Sequence, residues 1–193
     1  SLQTDGGLSV ALDAVIGDDI IMLSDAAQIA FGVNSEVTLT HVHDAGLTLK
    51  HTATADDKPI VLTLQTGETD MAADDVMGKI AFQAPDEGTG TDAILVSAAI
   101  QAVSEGDFSS SANATRLEFM TGASEAAATK MTLTSAGDVG IGTTAPECEL
   151  HVFKASSGAS TDGSAVVHIE NSGTTLLQLS AGTSSDCHIA FGD

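Results

Sequence analysis

His41-Val42-His43 is the tightest pairing of metal-ligating side chains in the sequence. Residues two apart share a face of a strand, so both imidazoles can converge on one ion. Three such pairs around a three-fold axis would supply six nitrogens, which suits a divalent ion or iron. The plainer reading is a pair of exposed or hydrogen-bonded histidines, because neutral imidazole serves many roles other than ligation. His51 does little to alter that balance.

Carboxylates are the next candidates. Asp18-Asp19, Asp56-Asp57, Asp74-Asp75 and Asp86-Glu87 could be paired for glycoside hydrolysis, which needs two acids across the scissile bond. Each pair is adjacent in sequence and sits in a turn-like context, as solvated corners do. The chain has no Trp and no Tyr to form a sugar-stacking platform, so no enzyme is expected. No G-x-S-x-G elbow is present, and the glycine run at 137–142 leads into neither a helix nor Gly-Lys-Ser. An Asp-x-Asp-x-Asp-Gly calcium loop is absent too. The two cysteines, Cys148 and Cys187, lie in strand-like runs without a CxxC, and their pairing is left open.

The formal charge of −21, from 27 acidic against six basic residues, excludes phosphate recognition by clustered Lys and Arg and predicts no nucleic-acid partner. Anionic membranes would repel the same surface, and no run of about 18 apolar residues predicts membrane insertion. No signal peptide is read at the N-terminus. Hydrophobic content is 42% with six Phe as the only large aromatics, so an interior must be built from Ala, Val, Ile and Leu. Such side chains suit narrow cores in which several chains share an axis.

The elements that must position these residues are strands. Apolar residues alternate at Ile29/Phe31, Val37/Leu39, Leu47/Leu49, Ile60/Leu62/Leu64, Ile80/Phe82 and Ile94 to Ile100. The period continues at Leu117/Phe119, Met131/Leu133, Val139/Ile141, Leu150/Val152, Val167/Ile169 and Leu177/Leu179. Met71 to Met77 and Ser124 to Lys130 contain helix formers, but such short runs are marginal as helices and read as turns or loops. An aliphatic-x-Phe core recurs at 28–32, 79–83, 116–120 and 188–192 with irregular spacing, which argues for a reused strand and against a strict solenoid. The Ser/Gly-rich tract at 155–163 reads as a linker or exposed loop.

Residues 137–152 organise the whole. Val139 and Ile141 alternate with glycines, Thr143 to Pro146 turns, and Leu150 and Val152 resume the period. Glycine within a strand marks a bulge or the close approach of another backbone. Gly137-Asp138-Val139-Gly140-Ile141-Gly142-Thr143-Thr144-x-Pro146 with its following Leu-x-Val resembles the GNVGIGTT-x-P segment of tail fibres and related virion proteins of tailed, particularly marine, phages; Asp138 stands where Asn is commoner. The run from Ile29 to Ser135 is similar to marine phage structural proteins, and His41-x-His43 to one copy of a repeated motif of long tail fibres.

The resemblance implies a virion, extracellular location and a homotrimeric fibre segment that projects or forms a host-recognition surface. Its partners would be other virion proteins and a cell-surface polysaccharide or protein receptor. The expected fold is all-β and elongated, as an intertwined trimeric β-prism or β-helix-like fibre, or else a string of small β-sandwiches. The expected organisation is a connecting segment at 1–25, a β-rich body at 26–154 and the start of a further repeat unit at 155–193, with the chain continuing beyond. The alternative role is a monomeric β-domain for capsid decoration or for binding carbohydrate or protein.

Overall fold

The structure is a computed structural model that describes residues 15–84, 92–179 and 189. Among the described residues all regular structure is β, in two open sheets. The chain divides into two compact units, Ser1–Thr63 and Leu64–Asp193.

The first unit carries β1 (Gln28–Phe31), β2 (Val37–Val42) and β3 (Gly46–His51) as an antiparallel meander. Ile29, Leu39 and Leu49 stand in register across it, as do Phe31, Val37 and His51. Because side chains alternate, these residues share one face while Thr38, Thr40 and Thr48 take the other. The turns use residues that tolerate the left-handed region: Gly32 before β2, Asp44 before β3 and Gly46 at its first position.

The second unit carries β4 (Val76–Gln83), β5 (Val96–Ser104), β6 (Thr115–Thr121), β7 (Ala128–Leu133), β8 (Val139–Ile141), β9 (Leu150–Phe153) and β10 (Val167–Glu170). They form one sheet in the order β10-β9-β8-β7-β6-β5-β4. β4 to β8 is an antiparallel meander, whereas β8–β9 and β9–β10 are parallel. A parallel return commonly takes a dozen or more residues. Residues 142–149 achieve it because two glycines let backbone pass where a side chain would stand. A Cβ on Gly140 would collide with the Thr143 carbonyl, and one on Gly142, at φ 82°, with the Phe153 carbonyl.

The register lines up residues across all seven strands. One row reads Ile80, Ile100, Phe119, Met131, Ile141, Val152 and Ile169. The adjacent row reads Lys79, Gln101, Glu118, Thr132, Gly140, His151 and His168. Alternation sends the first row to one face and the second to the other. The polar face is the covered one: Glu118, Thr132, His151 and Glu170 are buried together with Ala99 and Val103. On the apolar face Ile80, Phe82, Ile100, Leu117, Phe119, Leu133, Ile141, Val167 and Ile169 leave 37–54% of their surface open. The usual arrangement, apolar in and polar out, is reversed.

Two expected strands do not pair. Ile60/Leu62/Leu64 and Leu177/Leu179 are apolar and exposed and belong to neither sheet, although Leu64 packs against Gly78 of β4. Their period is that of strands. β5 starts at Val96 and runs on to Ser104, where the buried hydroxyl accepts from the Asp75 amide at 3.0 Å. The helix-forming runs at 71–77 and 124–130 are not helices: 71–75 and 124–127 are turn and loop, and the last residues of each run already belong to β4 and β7.

Candidate functional site

Three aliphatic-x-Phe copies become β1, β4 and β6, and all three put both apolar side chains on an exposed face. The fourth, at 188–192, lies outside the described residues except for Ile189. The repeated unit thus supplies open apolar surface. A patch of this breadth on a sheet face ordinarily marks contact with another surface.

The polar face of the seven-stranded sheet holds two clusters. In the first, Arg116 Nε donates to Glu118 Oε1 at 2.8 Å and its Nη2 to Asp74 Oδ1 at 2.8 Å. Gln101 Nε2 and Thr129 Oγ1 both donate to Glu118 Oε2, at 2.9 and 2.8 Å. Burial pushes the Glu118 carboxyl up, but hydrogen bonds from Arg116, Thr129 and Gln101 and the guanidinium charge outweigh it and hold it below the ordinary carboxylate value. For Arg116, burial acts downward and the two carboxylates win, raising it.

The second cluster is His151 on β9 with His168 and Glu170 on β10. The two imidazoles stack with centroids 4.7 Å apart and planes 16° from parallel. His151 Nε2 lies 3.4 Å from Glu170 Oε2. The Ser157 amide and hydroxyl donate to Glu170 Oε1 at 2.6 and 2.8 Å, and they are the first causes that hold its carboxyl below the ordinary value. Thr161 Oγ1 is 2.7 Å from His168 Nδ1 and also bonds the Glu147 carboxylate. The tract at 155–163, expected as linker or loop, therefore connects β9 to β10 within one sheet and is tied down over its polar face.

The expected residues sit elsewhere. β2 ends at Val42, so His41 is in the strand and His43 in the following turn. His41 shares the face of Leu39 and Leu47 and lines a shallow groove of about 140 Å³ with Met22, Ala27 and Ile29. His43 is mostly exposed, with Nδ1 3.6 Å from Asp25 and Nε2 3.2 Å from Asp44. Of the acidic pairs, Asp18-Asp19 and Asp56-Asp57 are exposed. Asp74 and Asp75 have separate tasks: Asp74 meets Arg116, while Asp75 accepts from the Ala72 amide at 2.6 Å. Asp86 and Glu87 lie outside the described residues, as does Cys187. Cys148 is buried, with its thiol 3.4 Å from the Leu150 carbonyl.

Sequence reasoning missed His151 and His168. The signal was the matching triplets Leu150-His151-Val152 and Val167-His168-Ile169, each with a histidine opposite the apolar face. Only the parallel register, His168 beside His151, makes them neighbours.

The described residues form an all-β structure of two open sheets, with no helix among them long and apolar enough to cross a membrane. No protein-family model and no curated protein matches it. Among solved structures it is similar to the carboxy-terminal domain of the bacteriophage T5 L-shaped tail fibre, at 15% identity and a TM-score of 0.38. The match covers 46% of this chain and 34% of that one, so the chain spans about a third of its length.

Proposed function

We propose that this chain is a structural segment of a phage tail fibre, assembled as a homotrimer in the virion. The observation that carries the assembly is the bare apolar face of the seven-stranded sheet, opposite a polar face whose central side chains are already buried within the chain, in part beneath the 155–163 connection. Three such faces turned to a common axis would form a narrow aliphatic core. The phage context rests on the resemblance of residues 137–146, whose glycines are used here for close backbone passage.

In this reading the segment has no enzymatic role. It projects or contributes to the host-recognition surface, joins other virion proteins, and meets a polysaccharide or protein receptor outside the cell. The acidic exterior limits non-specific adhesion. His41, on the apolar face of the first sheet, belongs to this proposal as an axial ion ligand, with His43 approaching from the turn.

The test compares two variants by light scattering. Ile141 is exposed in the single chain, so Ile141→Asp is expected to abolish the assembled mass by placing a charge in the axial core. Asp57 is exposed at φ 56°, a conformation that Asn also tolerates, so Asp57→Asn is expected to leave the mass unchanged. Equal effects would contradict the assignment of the face.

A further inference from the structure

We infer that His151, His168 and Glu170 form a site for a divalent transition-metal ion of the zinc type, on the polar face of the sheet beneath the β9–β10 connection. Each residue offers one ligand atom, and the three atoms lie within 4.8 Å of one another. Zinc bonds to imidazole and carboxylate of about 2.0–2.2 Å set tetrahedral ligands roughly 3.3–3.5 Å apart, so closure needs movements on the order of 1 Å. The imidazoles stack 16° from parallel, so one ring must also turn out of the stack for the two in-plane lone pairs to converge.

The observation pointing to a ligand is His151. It is 2% exposed, yet both ring nitrogens lack a hydrogen-bond partner. Its 3.4 Å approach to Glu170 does not have hydrogen-bond geometry. A buried imidazole left in that state is costly. An ion between ring and carboxylate would satisfy one nitrogen and balance the charge of Glu170.

The surroundings are those of an oriented ligand set. Ser157 holds one oxygen of Glu170 and leaves the other toward His151. Thr161 engages Nδ1 of His168 and is itself tied to Glu147, which fixes the ring and frees its second nitrogen. Such outer partners orient metal-binding imidazoles and raise their basicity. Two imidazoles and one carboxylate favour zinc and its neighbours in the first transition series over calcium or magnesium, which take oxygen ligands. Three protein ligands leave a fourth position for water. All three belong to one chain, so the site stands independently of the trimeric reading.

The full chain, stripped with a chelator, is titrated with Co²⁺ and then with Zn²⁺. The expected result is one Co²⁺ per chain with the visible absorption of a four-coordinate ion, displaced by Zn²⁺. His168→Gln and Glu170→Gln are each expected to weaken binding at least about tenfold, with the fold checked by circular dichroism. The double variant His41→Gln/His43→Gln is expected to bind as the unsubstituted chain does. Absence of stoichiometric binding to the folded unsubstituted chain would overturn the site, whatever the variants do. So would binding that survives both Gln substitutions, or that disappears with His41 and His43.

Discussion

Glu118 shows what a buried charge needs on this sheet. Its carboxylate accepts from Arg116, Thr129 and Gln101, so three strands meet at one side chain. Removing the charge leaves Arg116, itself largely buried, with only Asp74 as its carboxylate partner. Glu118→Gln is expected to destabilise the second unit by about 1–3 kcal/mol at pH 7, read by urea unfolding. The pH dependence has a defined sign. Since folding lowers this carboxyl below its ordinary 4.5, its contribution is complete above that value and fades as pH falls through the folded one. The difference between Glu118→Gln and the unsubstituted chain should therefore shrink below about pH 4.5; a difference constant with pH would remove the carboxylate from the account. Neither the network nor the His151–His168 pair was legible in the sequence. Glu118 is the middle residue of Leu-Glu-Phe, and nothing local says that Arg116, Gln101 and Thr129 will converge on it.

At the scale of elements, the corner at 140–149 is where sequence and structure agree most closely. The glycines were read as places of backbone approach, and the Thr143 and Phe153 carbonyls are the approaching groups. Gly142→Ala is expected to cost at least about 1–2 kcal/mol from its left-handed backbone alone, plus the displacement of the Phe153 carbonyl. Gly158→Ala shares the first cost, at φ 75°, but opens onto empty space. Thermal unfolding at fixed concentration should place Gly142→Ala clearly below Gly158→Ala; equal midpoints would mean that the corner yields. Most strands were legible because a two-residue period survives in them even where Gly or Thr intervenes. Ile60/Leu62/Leu64 and Leu177/Leu179 carry the same period without pairing, since periodicity reports a face and says nothing of a neighbouring edge. The tract at 155–163 is the exposed loop its composition suggests; what composition does not tell is that its Ser and Thr anchor it to Glu170 and His168.

For the whole molecule the decisive feature is which face is covered. Alternation told that strands have an apolar side but not that the polar side would be the buried one. On the second unit's sheet, apolar side chains from Ile80 to Ile169 leave 37–54% of their surface open on one face, a contiguous apolar exposure of the kind that marks a contact surface. The charge of −21 per chain opposes assembly, and salt screens it. Sedimentation equilibrium of the purified chain at moderate ionic strength tests this most directly. The account predicts a species of three times 19.4 kDa that persists on dilution. A single species of 19.4 kDa would contradict it and assign the sheet to a monomeric decoration or binding domain.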